Sequence, residues 1–423
     1  MKNKKAFFAI AVLAAAMSSY GSGFALYQPS AAAHALGGTG LGKAFDASAN
    51  FINPATLTDL TNAQVTIGFV TEHPRGRVEV NKVGQPEQRC TMDPGAFLLP
   101  HLQIALPLPA GFTFGFGVEP DYGLGTAYDD TWPMNFSATE TTIQSIVLNP
   151  NLAYKITEDW SVGVGARFLY FEFEQYSRPQ VPGGPGVAVG RFGNRLRGDN
   201  GMKDVGWQVG TKYDITDTFS VGAVYKSWIQ THVDGKTSTT VVEAAPGYET
   251  ALENVARSRN GRAHADITMP QSAAVGCNWD VLPTWHLGAM VSWTQWSEYD
   301  TLHFELEGGD SYTQLDWCDT WRGAIGSCWD FAEDWKWMAS YTYDMDSTTS
   351  SQASVMLPPA DRHILATGLS WNCWGGLELT LSYACIFMDG GDMTMTDRLG
   401  ERWELETCWG FCHAAGFSVT YRF

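Results

Sequence analysis

Apolar and polar side chains alternate with a period of two along most of the chain. In the stretch that begins at Trp160, aromatic and aliphatic residues occupy every second position, and small or polar residues lie between them. The apolar positions are Trp160, Val162, Val164, Ala166, Phe168 and Tyr170. Because successive side chains of a strand point to opposite faces, this stretch predicts a β-strand with one apolar face. Aromatic residues at both ends of that face are typical of a strand that crosses a bilayer.

The same pattern recurs in segments that are predicted to be hairpins. Further alternating runs begin at Phe219, Trp285 and Trp335, and each follows a short turn. The opposite ends carry long loops, at about 178–205 and 236–262, that are rich in Gly, Pro and polar residues. Short turns on one side and long loops on the other are typical of outer-membrane barrels.

The number of strands is predicted to be about 14. An even number lets the first and last strands pair antiparallel and close the sheet, which matters because an open edge in lipid leaves backbone groups unsatisfied. The predicted strands begin near residues 62, 98, 111, 142, 160, 206, 219, 264, 285, 315, 335, 362, 377 and 413. The predicted fold is therefore all-β, a transmembrane antiparallel β-barrel.

The first residues have the features of a secretory signal peptide. A lysine-rich start precedes an apolar run at 6–17, and small residues follow that run. We predict that residues 1–21 are a signal peptide, so that the mature chain is exported. A buried N-terminal helix is the alternative interpretation.

Residues 22–61 are predicted to form a hatch that plugs the lumen. They are rich in small residues, including Ala31-Ala32-Ala33, and show little alternation. A barrel of about 14 strands has a lumen too wide for its own side chains to fill. A disordered periplasmic tail is the alternative, and residues 62–423 are assigned to the barrel.

The C-terminus is an alternating strand that ends on an aromatic residue. Its apolar positions are Phe417, Val419, Tyr421 and Phe423. A terminal aromatic residue on such a strand resembles the signal by which bacterial outer-membrane barrels are assembled. A strand that ends at the terminus by chance is the alternative.

Composition and charge exclude several classes of protein. The chain has 27 basic and 45 acidic residues, which gives a formal net charge of −18. This balance argues against a nucleic-acid partner, because phosphate binding needs basic density. No apolar run of about 18 residues follows the N-terminus, which argues against membrane-spanning helices.

Short motifs occur in a fixed order along the whole chain. They are Ser22-Gly23-Phe24, Gly40-Leu41-Gly42-Lys43-Ala44, Asn53-Pro54-Ala55, Asp121-Tyr122-Gly123-Leu124-Gly125-Thr126, Leu148-Asn149-Pro150-Asn151-Leu152-Ala153-Tyr154, Met269-Pro270, Trp293-Thr294-Gln295-Trp296-Ser297, Asp319-Thr320-Trp321-Arg322 and Pro359-Ala360-Asp361-Arg362-His363. This order resembles the FadL family, the transporters of long-chain fatty acids and hydrocarbons in Gram-negative outer membranes. The resemblance implies a barrel of about 14 strands, an N-terminal hatch, and a kink in strand 3 that opens the wall sideways.

The resemblance also places two functional segments in this chain. The hatch motif maps to Asn53, Pro54 and Ala55, just before strand 1. The kink and lateral opening map to Pro120, Asp121, Tyr122, Gly123, Leu124 and Gly125. Independently of the resemblance, Pro120 and the two glycines are poor strand residues, because proline cannot donate to the sheet. An ordinary loop after strand 3 is the alternative.

The residues expected near a ligand head group depart from the family pattern. Family members that transport fatty acids have basic residues on strand 5 and near strand 10, whereas alignment by eye puts Glu172, Glu174 and Cys318 there. Because like charges repel, we expect neutral hydrocarbons or esters to bind better than ionised fatty acids. By parity, however, the two glutamates continue the outward face of their strand, and they would then point to water.

No enzyme, cofactor or metal site is predicted. The segment from Gly37 to Lys43 resembles a phosphate-binding loop, but Ala44 replaces the Ser or Thr that binds Mg²⁺. Cys408 and Cys412 lie about 13 Å apart on an extended strand, which is too far for a disulfide between them. Free or loop-paired thiols are therefore expected.

The predicted function is a channel for passive uptake of hydrophobic small molecules, long-chain fatty acids or hydrocarbons, through a lateral opening in the barrel wall. The expected partners are the apolar solute, outer-membrane lipid and the barrel assembly machinery. A general porin or a structural or adhesive barrel is the alternative.

Overall fold

The computed structural model describes residues 23–184, 186–307, 309–348, 355–356 and 360–423. The predicted signal peptide at residues 1–21 lies outside these ranges, as do Ser22 and Pro359, which begin two of the family motifs. Within the described ranges, no helix is long and apolar enough to cross a membrane.

Fourteen antiparallel strands form the wall of a closed barrel. In chain order they are β1 (Gln64–Lys82), β2 (Phe97–Pro107), β3 (Phe112–Glu119), β4 (Glu140–Lys155), β5 (Trp160–Ser177), β6 (Asp204–Thr216), β7 (Phe219–Lys226), β8 (Ser272–Leu282), β9 (Trp285–Thr294), β10 (Thr320–Ala332), β11 (Trp335–Asp344), β12 (Arg362–Trp374), β13 (Leu377–Met388) and β14 (Arg402–Arg422). The barrel closes between β1 and β14, whose pairing begins with Gln64 opposite Arg422. The predicted all-β barrel is confirmed.

Short strands and helices complete the chain. Strands that extend the sheet beyond the wall are Gln88–Met92, Gly123–Ala127, Gln180–Gly184, Val187–Asp199, Ile229–Ala244, Gly261–Met269, Thr301–Leu306, Ser311–Gln314 and Asp392–Thr396. The helices are α1 (Ala31–Ala35), α2 (Ala49–Ile52) and α3 (Glu249–Ser258), with 3₁₀ turns at Pro54–Asp59, Pro109–Gly111 and Trp296–Glu298.

Three strand positions differ from those predicted, and one of them is β10, which begins at Thr320 and not near residue 315. The start expected near residue 264 falls in the extension Gly261–Met269, and the wall strand β8 begins only at Ser272. Pro270 lies between the two strands and has no amide hydrogen to donate. The last strand begins at Arg402 rather than near residue 413. Its first part alternates in the opposite sense, with Arg402, Glu404 and Glu406 exposed, so it lacks the apolar outer face that marks a membrane strand.

The two faces of each wall strand are distinct. On β5 the outward side chains of Trp160 and Val164 are 42% and 54% exposed, whereas Ser161 and Arg167 on the inner face are buried. An apolar outer face fits a surrounding of lipid, and a polar inner face fits the lumen of an outer-membrane barrel.

The N-terminal segment lies inside the barrel and fills its lumen. Ala31, Ala35, Ala55 and Leu57 are fully buried there. Inward-facing glycines of the wall let this hatch approach the strand backbone: Gly115, Gly163, Gly210, Gly222, Gly288, Gly326 and Gly368. A Cβ atom on Gly222, for example, would lie 1.8 Å from the Leu41 carbonyl oxygen. The glycines therefore allow a tight fit between hatch and wall.

Candidate functional site

A cavity of about 580 Å³ lies between the hatch and the wall. Much of its lining is apolar, and it includes Leu26, Val78, Leu99, Ile143, Ile364 and Ile386. Arg322, Arg362, Glu72 and Asp344 form a polar part of the lining. The cavity thus offers apolar surface together with a few charged groups, which is the usual composition of a small-molecule site.

The wall beside this cavity has a gap in its hydrogen bonding. β2 pairs with β3 only from Leu102 opposite Val118 to Pro107 opposite Thr113. The continuation of β3, Gly123–Ala127, pairs with β4. No pairing joins this continuation to residues 97–101 of β2, all of which are described. We call this interval, between residues 97–101 and 120–126, the seam.

The seam lies where the sequence places the kink. Pro120, Tyr122, Gly123, Leu124 and Gly125 all line the cavity, and Asp121 lies between them. The lining also includes Leu98, whose side chain is outward-facing and 61% exposed. The cavity therefore reaches from the hatch to the lipid-facing side of the wall.

Backbone groups at the kink are satisfied from inside the barrel. The Leu26 amide donates to the Asp121 carbonyl oxygen at 2.9 Å, and the Gly123 amide donates to the Phe24 carbonyl oxygen at 2.8 Å. The Ser145 hydroxyl accepts from the Tyr122 amide at 2.8 Å. These bonds replace those that a neighbouring strand would supply, which matters because an unpaired backbone group in lipid is costly.

A buried ion pair fixes the kink to β5. Arg167 donates to the Asp121 carboxylate, and the two side chains are only 2% and 7% exposed. Arg167 also donates to the Ser227 carbonyl oxygen at 3.3 Å. Breaking such a pair would leave a buried charge without compensation, so the kink is held firmly.

The predicted hatch motif lies at the contact between the hatch and the wall. The Asn53 amide nitrogen donates to the Leu41 carbonyl oxygen at 2.7 Å and to the Thr211 carbonyl oxygen at 3.0 Å. Its side-chain oxygen accepts from the Ala55 amide at 3.1 Å, which caps the following 3₁₀ turn. Pro54 begins that turn. Asn53 therefore joins two parts of the hatch to β6.

The residues predicted near a ligand head group lie elsewhere. Glu172 accepts from Arg197 at 2.7 Å, and Glu174 pairs with Arg195 at 2.5 Å. Both glutamates lie on the outward face, as their parity indicated, and neither they nor Cys318 are among the described residues that line the cavity. The geometry thus gives no support to a head-group role for these three residues.

Two arginines that the sequence analysis did not single out face the cavity, together with the carboxylates of Glu72 and Asp344. Arg322 is 5% exposed and donates to the Gly37 carbonyl oxygen at 3.1 Å. Arg362 donates to the Gly23 carbonyl oxygen at 2.8 Å and lies 4.0 Å from Asp344. Both arginines lie in motifs that resemble the FadL family. Their positions on β10 and β12 place them on the inner face of the wall, and this was the signal that could have identified them.

A second cavity, of about 870 Å³, lies among the extracellular loops. We call it the mouth. Its lining includes Phe173, Leu302 and Phe304 together with the arginines Arg195, Arg259, Arg398 and Arg402 and the single carboxylate of Asp310. Burial and the nearby guanidinium of Arg259 lower the pKa of Arg398 from its usual value. The mouth is therefore basic although the whole chain is acidic.

An aromatic cluster lies between the mouth and the seam. Phe24 of the hatch packs with Tyr122 of the kink at a ring distance of 5.9 Å and with Trp296 at 4.8 Å. Tyr299 and Trp317 complete the cluster. The hatch, the kink and the loops that surround the mouth thus meet at one group of rings.

The predicted C-terminal signal lies at the closing edge of the barrel. Val419 pairs with Ile67, and Phe417 pairs with Phe69. The Phe423 amide donates to the Ala63 carbonyl oxygen at 2.9 Å, and the Phe423 side chain is 72% exposed. Its role in assembly, with that of Phe417, Val419 and Tyr421, stays a prediction.

Neither metal ligands nor disulfides are found in the part of the chain that the structure describes. No group of three or more His, Cys, Asp or Glu residues there could hold a metal ion. Cys90, Cys277, Cys318, Cys328, Cys373, Cys385, Cys408 and Cys412 are free.

Comparisons with known proteins agree with this architecture. A long-chain fatty acid transport protein of Salmonella typhi is 22% identical over 400 residues, which cover 90% of this chain and 91% of the relative. Outer membrane protein P1 of Haemophilus influenzae is 22% identical over 442 residues, which cover 91% of this chain and 90% of the relative. The solved FadL homologue of Pseudomonas aeruginosa has a TM-score of 0.83 at 20% identity, and the alignment covers 95% of this chain and all of that one.

A second solved structure, the toluene transporter TodX of Pseudomonas putida, has a TM-score of 0.70 at 16% identity, covering 94% of this chain and 99% of that one. At these identities the two structures show a shared fold. The family model described as outer membrane protein transport protein (OMPP1/FadL/TodX) matches residues 11–423. The chain therefore belongs to this family of outer-membrane transport proteins.

Proposed function

We propose that the protein is a passive channel that takes up hydrophobic small molecules and releases them sideways into the outer membrane. One observation carries this proposal: the cavity beside the hatch extends through the seam to the lipid-facing Leu98. An apolar solute that leaves by this route enters lipid without crossing a water-filled pore, and burial of apolar surface favours each step.

The order of the cavities suggests a path for the solute. It would bind first in the mouth, pass the aromatic cluster around Phe24, occupy the cavity beside the hatch and leave through the seam. A general porin is not favoured, because the hatch fills the lumen that a porin needs to keep open. The relatives are named as transport proteins, which supports a channel rather than an enzyme.

Ionised fatty acids are the solutes that the charges favour. Arg322 faces the cavity and forms no ion pair within the described chain, because Asp344, its neighbour on β11, lies closer to Arg362. Glu172 and Glu174, which would repel an anion inside the barrel, point outward and are paired with arginines. The names of the fatty-acid-transporting relatives agree with this choice. Lipid as the receiving phase and the assembly machinery are the further partners that the proposal implies.

The test is uptake by cells that lack their own transporter of this kind. P120T/G123T would give the kink a backbone donor and a strand-forming residue, so that the seam can pair once the Leu26 side chain, 2.8 Å from the new Cβ atom, has turned aside. We expect normal barrel formation, seen as heat-modifiable migration on gels, with strongly reduced uptake of labelled oleate.

P107T is the matched control, because Pro107 lies at the end of β2 where pairing with β3 is already complete. It should transport as the wild type does. Unchanged uptake of oleate and of an alkane by P120T/G123T would show that solute does not leave through the seam.

A further inference from the structure

The seam is bounded by hydrogen bonds at both ends, and we call the opening between those ends the window. At one end Leu102 pairs with Val118. At the other end the Asp93 amide donates to the Ala127 carbonyl oxygen at 3.0 Å. Between them residues 97–101 of β2 span about 13 Å, at roughly 3.3 Å per residue. On its other side this part of β2 is paired with β1, from Glu72 opposite Phe97 to Gly68 opposite His101.

The ring of Phe97 lies across this window. Phe97 is on the inward face of β2, because its neighbour Leu98 points outward, and it is half-buried. A Cβ atom on Gly125, across the seam, would lie 1.9 Å from Cζ and 2.4 Å from Cε2 of Phe97. The ring therefore rests directly on the Gly125 backbone and occupies the space that a side chain there would take.

Phe97 and the hatch block different parts of the same window. A Cβ atom on Gly123 would lie 2.8 Å from Cδ1 of Leu26, so the hatch side chain covers the part nearer the kink. Leu26 is held by its backbone bond to Asp121. Phe97 belongs to the wall and is joined to the other edge of the window only by side-chain contact, so its ring can turn without breaking a backbone hydrogen bond.

We propose that Phe97 is the size-determining residue of the lateral exit, a ring that a solute must displace in order to pass from the cavity into the bilayer. This inference rests on the proposed function. A narrow, unbranched chain needs only a small rotation of the ring, whereas a broad or branched solute needs the ring removed from the window. Phe97 thus determines which apolar solutes leave the cavity. Because Gly125 has no side chain, the Phe97 ring can lie against its backbone and close the window.

The test compares uptake of two solutes of different width. The linear solute is palmitate, and the broad solute is adamantane carboxylate, which has the same head group. F97A should raise the ratio of broad to linear uptake about threefold or more, because the lower barrier acts on the broad solute. F97L should give a smaller rise. F97W should lower the ratio.

F114A is the matched control, because Phe114 is an outward, lipid-facing phenylalanine of β3 away from the seam. Its uptake ratio should equal that of the wild type. Heat-modifiable migration of each variant shows that the barrel has formed, and F97L keeps the test decisive if F97A does not assemble.

The outcomes separate the two proposals. Wild-type uptake with the same ratio in F97A, F97L and F114A would overturn the role of Phe97 and leave the proposed function standing. No uptake of either solute by the wild type above cells without the protein would overturn the proposed function, and the role of Phe97 with it.

Discussion

At the scale of single residues, the proposed preference for anionic solutes depends on Arg322. Its guanidinium carbon lies 4.3 Å from the ring centroid of Tyr27, and one nitrogen donates to the Gly37 carbonyl oxygen. Its Nε has no hydrogen-bond partner among the described residues. Asp344, the neighbour of Arg322 on β11, pairs with Arg362 instead, and a buried charge that forms no ion pair is expected to gain from an anionic ligand.

R322Q should therefore weaken binding of an ionised fatty acid by about tenfold, since a hydrogen bond to a charged group contributes about 1.5–3 kcal/mol. Binding of an alkane of equal length should change little. For both solutes, each added methylene should strengthen binding about fourfold, from about 0.8 kcal/mol of burial. Titration of purified barrel with oleate, methyl oleate and an alkane measures all three effects.

R197Q is the control for this prediction, because Arg197 pairs with Glu172 on the outward face. If R322Q weakened binding of the alkane and of the acid equally, this would contradict the role given to Arg322. It would indicate damage to the apolar lining instead.

The geometry does not support the head-group prediction for Glu172 and Glu174, and the reason lies at the same scale. An alignment of distant sequences matches residue to residue and does not say which way a side chain points. In a barrel, strand parity decides whether the side chain faces the lumen or the outside. Arg167 stood five residues before Glu172 on the inner face of β5, and the structure shows it buried at the kink. What parity could not indicate is that Asp121 neutralises that arginine, because their contact joins residues far apart in the sequence.

At the scale of elements, the hatch and the wall are fitted to each other through glycines. Such contacts need no side chain on the wall and bring the hatch backbone against the strand backbone. Gly163 lies against Pro54, and Gly222 lies against Leu41. The cost of adding a side chain at these positions should be high, because backbone atoms cannot turn aside as side chains can.

G222V should thus destabilise the protein by about 1–3 kcal/mol or displace the hatch from its seat. The measurements are the urea midpoint of refolded barrel and protease cleavage within residues 23–61. Gly323 is the matched control, because a side chain there would have nothing within 4 Å. Equal effects of G222V and G323V would contradict the glycine contacts.

The sequence predicts these elements well where lipid imposes a pattern and poorly where it does not. Trp160, Phe219, Trp285 and Trp335 begin strands where alternation predicted them. The early start of β14 at Arg402 was missed, because the exposed positions of its first residues are charged and not apolar. The exit side chain Phe97 was also missed, since its partner Gly125 is a neighbour only across an unpaired seam.

At the scale of the whole molecule, the charge distribution directs anions to the mouth. The chain carries a formal net charge of −18, which repels anionic solutes at long range. The mouth contains four arginines and one aspartate in its lining. Arg259 lies over the ring of Phe192 at 5.1 Å.

R259Q/R398Q should accordingly raise the oleate concentration for half-maximal uptake several-fold at low ionic strength. The difference should shrink near 1 M salt, where the screening length is about 3 Å. R89Q is the control, because Arg89 is exposed, is paired with Glu79 and lies outside the mouth. A double variant whose uptake is as salt-sensitive as that of the wild type would contradict an electrostatic role.

The seam does not impose a direction on transport, so it affects how the cell retains the solute. The seam connects the cavity with lipid, so an acyl chain of the membrane can enter the cavity by the route that a solute uses to leave. Because nothing in this path consumes energy, net flux can only follow the difference in chemical potential between the medium and the bilayer. Accumulation must therefore depend on a sink beyond the membrane, and a cell that stops metabolising the solute should release it through the same protein.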